Sequence, residues 1–326
     1  MQREFNLIEN LKKVLARNHP RTVVPLGDDG FVYKSFAENT AIVQDMMIED
    51  VHFKSSYFSA KDLGHKALAV NLSDLAAMGA RPHFAHVSLA LPKNIEDQWL
   101  LDFYAGMTAL ADLHKVEIVG GDLSLSPGPI LIDVNVVGEV AEPYTSHGAR
   151  AGDLLAVTGP LGVSHAGMLA LQKELYIYAE ATQKHLRPQP RLDVSTLLRR
   201  HQISNDALHA LMDCSDGLIN DLQRLTRNLE LGVDLKLTDL PTESDAEGFA
   251  LSLHQKVTDW MLWGGEDYEL LMAFPPGKKD ELKYIFEAED LDLFIIGNFN
   301  NSGKICLIDE DGREQEVTRF KGWSHF

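Results

Sequence analysis

Lys66-Ala67-Leu68-Ala69-Val70-Asn71-Leu72-Ser73-Asp74-Leu75-Ala76-Ala77-Met78-Gly79-Ala80 is rich in Leu and Ala, which are good helix formers. Asp62 is a plausible N-cap upstream and Gly79 a plausible residue just past the end, so a helix is predicted over 62–78. Asn71 and Asp74 lie three apart and therefore share one face of a helix otherwise rich in Leu and Ala. Polar groups on a packed face need partners. Just downstream, His83-Phe84-Ala85-His86-Val87-Ser88-Leu89 alternates as a half-buried strand does. Working outward, further helices are predicted over 5–17, 95–113, 161–175, 189–201, 216–229 and 278–288. Strands are predicted over 40–47, 83–91, 116–119, 130–139, 153–158, 208–213, 232–237, 268–274, 292–297 and 304–309. Glu142-Pro143-Tyr144-Thr145-Ser146-His147-Gly148 is the best linker. The expected fold class is thus α/β (α+β), as two mixed domains over 1–143 and 144–326.

The bulk composition agrees. A chain of 326 residues, 45% hydrophobic and 24% charged, has the material for two ordinary globular cores. Its two cysteines, Cys214 and Cys306, form no CxxC pair and suit a reducing cytosol, so a cytoplasmic location is expected. The first residues read as an amphipathic helix (Phe5, Ile8, Leu11, Leu15), with Glu4, Glu9 and Asn10 where a signal peptide needs an unbroken apolar run. No apolar run approaches the length of a membrane span. The net charge of −18 argues against nucleic acid or an anionic membrane as partner. It also means that anionic substrates can be held only through local basic groups or bound cations.

Acidic residues gather at predicted element ends: Gly27-Asp28-Asp29-Gly30, Asp45, Asn71 with Asp74, Gly120-Gly121-Asp122, Asp213-Cys214-Ser215-Asp216-Gly217 and Gly264-Gly265-Glu266-Asp267. Val116-Glu117-Ile118-Val119 runs straight into Gly120, and Ala210-Leu211-Met212 into Asp213, which is where α/β folds build ligand sites. Two readings stand side by side. Asp next to Gly is ordinary turn chemistry. Alternatively, the carboxylates converge on cations, since several gathered without them repel one another. Hard oxygen donors on Gly-relaxed backbone suit Mg²⁺ bridging substrate phosphates. There is no GxGxxG after a strand, no GxxxxGK[ST], no HExxH and no GxSxG, so any ATP use rests on another arrangement.

Ordered along the whole chain, these pieces resemble the thiamine-monophosphate kinases, a family of the superfamily that also holds aminoimidazole ribonucleotide synthetase and selenophosphate synthetase. The matching runs are Gly27-Asp28-Asp29; Asp45 with Val51-His52-Phe53; Lys66–Ala80; Gly120-Gly121-Asp122; His185-Leu186-Arg187-Pro188; Asp213 with Ser215-Asp216-Gly217-Leu218; Gly264-Gly265-Glu266-Asp267-Tyr268-Glu269-Leu270; and Lys321-Gly322-Trp323-Ser324-His325-Phe326. The resemblance implies transfer of phosphate from ATP to thiamine monophosphate, direct and in line. It implies that Asp29, Asp45, Asp74, Asp122, Asp213 and Asp216 hold several Mg²⁺ ions. It further implies ATP contacts from Tyr104, Gly121, Asp122, Arg150 and Ser215, and substrate contacts from His52, Glu266 and Trp323. It also implies a homodimer in which the N-terminal sheets join into a barrel. Taken singly, Trp323 could cover the edge of the core, His52 could be an ordinary surface or core histidine, and Arg150 a surface ion pair.

One departure is visible. Val43-Gln44 stands before Asp45 where the family carries Ser or Thr, so Gln44 is expected to help replace a lost metal ligand. Two rivals remain. A selenophosphate synthetase-like enzyme needs a Cys or selenocysteine in a glycine-rich N-terminal segment, and residues 1–30 contain no Cys. A non-catalytic nucleotide binder has no need of carboxylates in every cluster.

Overall fold

The computed structural model describes residues 10, 11, 13, 15, 19–24, 31–227 and 229–318. Asp28, Asp29 and Trp323 lie outside the described residues. The chain divides into two compact units, Met1–Leu75 with Ala80–Glu142, and Ala76–Gly79 with Pro143–Phe326. Both are mixed α/β. Of the helix predicted over 5–17, residues 10, 11, 13 and 15 are helical, and Leu11 and Leu15 are buried.

The first unit is built on a four-stranded sheet of β3 (Asn39–Ile48), β4 (Arg81–Pro92), β5 (Glu117–Ser126) and β6 (Leu131–Val140), in the order β3-β6-β4-β5. β6 is antiparallel to both neighbours, while β4 and β5 are parallel. That parallel pair needs a crossover, supplied by the helix Asp97–His114. A second helix, Ala60–Ala77, joins β3 to β4. The two helices cross where a side chain is impossible. A Cβ on Gly64 would stand 1.8 Å from the Phe103 carbonyl oxygen, and one on Gly106 would stand 1.9 Å from that of Lys61. A short ribbon, β1 (Thr22–Val24) with β2 (Val32–Tyr33), precedes the sheet.

The faces of this sheet differ. Ala41, Val43, Asp45 and Met47 alternate onto one side with Ile132, Val134 and Val136, and Leu75 of the 60–77 helix reaches Gly138 on the rung of Ala41. The other side carries a small aromatic cluster, Phe36 and Phe84 with Val119 and Val137, joined by Phe31 and Tyr33. Beyond that cluster the same side is open, with Ile42 65% and Met46 52% exposed.

The second unit is a seven-stranded sheet of β7 (Leu154–Val157), β8 (Ala210–Cys214), β9 (Gly232–Lys236), β10 (Glu269–Phe274), β11 (Phe294–Asn300), β12 (Ile305–Ile308) and β13 (Glu314–Glu316), in the order β13-β12-β9-β11-β7-β10-β8. All pairs are antiparallel except β12 with β9. β10 is buried along its whole length, as its nearly continuous apolar run Leu270–Phe274 requires. Leu155, Val157, Leu218, Leu222, Val233 and Leu271 are among the residues that form the core. The linker predicted at Glu142–Gly148 is largely structured. Tyr144 is buried with its hydroxyl donating to Ile203 O at 2.5 Å, and Thr145 O accepts Leu211 N at 3.0 Å. Sequence reading misses the helices Ala179–Leu186, Ser244–Ser252 and Val257–Trp263, as well as β1, β2 and β13.

Candidate active site

In the first unit, strand register decides which carboxylates share a face. Asp45 pairs with Val134, Val134 with Val87, and Val87 with Gly121. Met46, Asp133, Ser88 and Asp122 form the next rung. Successive rungs of a regular strand present opposite faces, but the register shift at Ala85/His86 and the φ of +154° at Gly121 interrupt that alternation just before Asp122. Asp45 shares its side with the 60–77 helix, which carries Asn71 and Asp74. Asn71 is fully buried, its amide donating to Ala67 O at 3.1 Å, and its Oδ1 has no hydrogen-bond partner among the described residues. A buried carbonyl oxygen without a donor suits a cation or an ordered water.

One expectation changes here. Gly120-Gly121-Asp122 was expected just past a strand ending at 119, but β5 continues to Ser126 and holds them mid-strand. Gly121 is there because φ is +154° and a Cβ would stand 1.8 Å from Val87 O. Asp122 is exposed and accepts Ser124 Oγ at 2.9 Å. Gln44 alternates to the face opposite Asp45, and its amide N–H donates to both Asp133 oxygens at 2.9 and 3.0 Å, a contact in which its carbonyl oxygen takes no part. Tyr104 is buried in the Asp97–His114 helix with only 4% exposure, and burial drives its phenol well above the usual range. His52 Nδ1 accepts Ile48 N at 3.0 Å.

The second unit brings two acidic segments together. Glu266 N donates to Ser215 O at 2.7 Å and Tyr268 N to Cys214 O at 2.9 Å. Glu266 and Tyr268 both sit in the left-handed region, at φ 66° and 53°, which costs on the order of 1 kcal/mol or more each and persists only when the surroundings enforce it. Asp213 is 8% exposed near the end of β8, and Asp216 precedes the helix Leu218–Thr226. Asp221, on the first turn of that helix, is fully buried and accepts Asp216 N at 3.1 Å, while Arg224 bridges Asp216 and Asp221. Burial, with the charges of Asp213 and Asp216 added, pushes the Asp221 carboxyl up to about 8. Sequence reading missed Asp221. The signal was its place on the apolar stripe Leu218, Leu222, Leu225.

Asp267 and Glu269 are buried supports. Asp267 accepts Gly162 N at 2.7 Å and Ser164 N at 3.1 Å, at the start of the helix Val163–Gln172; burial pushes it up to about 7 against the pull of those amides. Glu269 takes Lys184, Arg191 and Thr158 Oγ1, and although burial opposes it, the two cations hold its carboxyl below the usual range. Arg150 is exposed, and its backbone N donates to Asp153 at 2.8 Å.

Among the described residues, no three His, Cys, Asp or Glu side chains stand close enough to enclose a metal ion. Mg²⁺ does not require such a cage, because it keeps several waters and uses one or two carboxylates with substrate phosphates. The unpartnered Asn71 oxygen and the mutual repulsion around Asp221 fit cations nearby. A separate hollow of about 580 Å³ in the first unit is lined by His19, Arg21, Arg81, His83 and Glu117 among others, and by none of the expected site residues. Burial first, and then Arg81, lowers His83 there to about 4.

Comparison with known proteins places this geometry. Residues 27–140 match the AIR synthase related protein, N-terminal domain, and residues 150–310 match the corresponding C-terminal domain. The chain is 32% identical to the thiamine-monophosphate kinase of Bacillus subtilis (strain 168), over 99% of both chains. It superposes on AaThiL complexed with AMPPCP and TMP with a TM-score of 0.78 at 30% identity, covering 99% of this chain and 97% of that one. Thiamine-monophosphate kinase from Stenotrophomonas maltophilia K279a gives a TM-score of 0.82 at 30% identity, covering 96% and 98%. With end-to-end likeness at that identity and both domains matched, the chain belongs to the thiamine-monophosphate kinase family of the AIR synthase related proteins.

Proposed function

We propose that this protein transfers the terminal phosphoryl group of ATP directly to the phosphate of thiamine monophosphate, giving ADP and thiamine diphosphate. The observation that carries this reading is the match to thiamine-monophosphate kinases along 99% of the chain. The solved complex of AaThiL with AMPPCP and TMP supports the same pair of substrates here.

The acceptor needs no general base. A phosphate monoester's second pKa is about 6, so its oxygen is already ionised at neutral pH. The obstacle is repulsion between two polyanions. Mg²⁺, when bound, neutralises charge across the phosphates. Asp29, Asp45, Asp74, Asp122, Asp213 and Asp216 are the residues we assign to hold it, with Asn71 Oδ1 beside the Asp74 turn. Gln44 joins them as a candidate through its carbonyl oxygen, since Asp133 takes only its amide N–H. Gly121, Arg150, Ser215 and Tyr104 are assigned to ATP, and His52, Glu266 and Trp323 to the thiamine end. The chain's own work is to hold acceptor and donor in line, since positioning supplies most of such catalysis.

The open side of the first unit's sheet, with Ile42 and Met46 exposed, supports a two-fold homodimer joining two such sheets into a barrel. Sedimentation equilibrium at micromolar concentration should give twice 36.3 kDa; a monomer mass with full activity would refute it. A cytoplasmic location fits this chemistry, and among the described residues no helix is long and apolar enough to cross a membrane. The activity is tested by resolving products chromatographically. ADP and thiamine diphosphate should appear in equal amounts and vanish with EDTA. ADP alone, or neither product, would sink the reading.

A further inference from the structure

The His185-Leu186-Arg187-Pro188 run, prominent in the sequence, has no role in the account above. His185 ends the helix Ala179–Leu186 just before its last residue and is 2% exposed. Its Nδ1 lies 3.1 Å from Ser164 Oγ and 3.3 Å from Glu266 Oε2. An ionised carboxylate can only accept, so the hydrogen facing Glu266 belongs to Nδ1, and the Ser164 oxygen shares it.

Glu266 and Glu269, three residues apart, are held in contrasting ways. Glu269 is 2% exposed and sits between two full cations, Lys184 and Arg191, so its charge is spent inside the protein. The Glu266 side chain is 31% exposed and faces the His185 imidazole at 3.3 Å, and its charge is also felt by His165; an imidazole can donate a hydrogen bond without carrying charge. Such a donor orients a carboxylate without the full cations that Glu269 receives. The backbone of Glu266 is already fixed, at φ 66° with its N–H on Ser215 O. The imidazole fixes the other end of the same residue. Neighbouring residues of one helix, Lys184 and His185, thus serve the two glutamates separately.

We propose that His185 is a positioning residue: its Nδ1–H, seated by Ser164, aims the Glu266 carboxylate at the cationic ring system of the thiamine substrate. The inference rests on the thiamine monophosphate reading and names the end of the substrate that this pair serves. It separates recognition of the cation from the phosphate chemistry, so its loss shows in one substrate's KM rather than in kcat.

The variants are His185→Phe, which removes the donor, and His185→Asn, whose side-chain amide N–H replaces Nδ1–H. His185→Phe should raise KM for thiamine monophosphate about tenfold, with KM for ATP within about twofold, as for loss of one hydrogen bond to a charged group. His185→Asn should return to within about threefold of wild type. If His185→Asn is as impaired as His185→Phe, or if both KM values rise together, the proposal is overturned. Should His185→Phe fail to fold, the comparison of His185→Asn with wild type stands together with a second measurement on the unmodified chain. A long-range ¹H–¹⁵N spectrum at neutral pH should show His185 protonated at Nδ1 alone, with its signals displaced in Glu266→Gln. A ring protonated at Nε2 alone or at both nitrogens overturns the proposal whatever the kinetics. If the wild-type chain does not turn over thiamine monophosphate, the functional reading falls, and the spectrum still decides whether His185 holds Glu266.

Discussion

Gly120-Gly121-Asp122 and Asp213-Cys214-Ser215-Asp216-Gly217 look alike as sequence, each an apolar strand running into glycine and aspartate, yet the fold treats them oppositely. The first lies inside β5, with Asp122 exposed and accepting a hydrogen bond from Ser124 Oγ. The second lies at a strand end, crowded against Asp221, Arg224 and the strained 264–268 segment. The difference teaches that carboxylate chemistry follows from what surrounds the turn. An exposed aspartate keeps its charge in water at little cost, whereas buried neighbours raise one another until a cation or a proton intervenes.

Substitution separates the two regions most sharply. Asp122→Asn and Asp74→Asn should each lower kcat by about a hundredfold or more, by analogy with removing one group that stabilises transferring charge, roughly 3 kcal/mol. Asp122 is exposed, so its variant should melt with the wild type. Asp213→Asn should also lose activity, but with EDTA present its melting temperature should rise, because the repulsion on Asp221 is relieved. Near-normal kcat in Asp122→Asn and Asp74→Asn at matched Mg²⁺ would restore an ordinary-turn reading. Identical melting shifts for Asp122→Asn and Asp213→Asn would erase the contrast.

Acid exposes a second asymmetry. His83, in the first unit, has a folded-state pKa of about 4 against an ordinary value of 6.5. The unfolded chain therefore binds a proton that the folded chain does not between those values, and stability falls as pH drops from about 6.5 to about 4. The loss attributable to His83 is at most about 3 kcal/mol. His83→Phe should flatten that part of the stability–pH curve measured by urea unfolding; an unchanged slope would remove His83 from the account.

A smaller effect tests the substrate end. Trp323→Ala should raise KM for thiamine monophosphate more than KM for ATP, by the equivalent of about 1–2 kcal/mol for an aromatic face against a cation or flat ring. Equal changes would make Trp323 a packing residue.

Much of this fold is legible in the sequence, and the exceptions have physical causes. The long helices and inner strands announce themselves through periodicity, as in Lys66–Ala80 and Leu270–Phe274. β5 reads as ending at 119 because Gly120-Gly121 resembles a stop, when Gly121 is demanded by the approach of Val87 O within the sheet. The helices Ala179–Leu186, Ser244–Ser252 and Val257–Trp263 escape because they are short and carry no clear apolar stripe: the first is mostly Ala and polar residues, Gly248 interrupts the second, and the third has only seven residues. The aspartates we propose for the site are visible in sequence through family likeness. Their governors are not: Asp221, and the Lys184 and Arg191 pair on Glu269, act through contacts that only the fold creates. The contact of the Gln44 amide N–H with Asp133 is of the same kind, set by strand pairing.

Acceptance of the phosphoryl group by a phosphate oxygen, without a base, makes the acceptor's own phosphate indispensable. It is tested most directly by measuring Mg²⁺-dependent ADP formation with thiamine monophosphate and with free thiamine under identical conditions. Turnover should be rapid with the monophosphate and slow with thiamine, whose hydroxyl requires a base that no assigned residue supplies. Comparable rates with the two acceptors would contradict it.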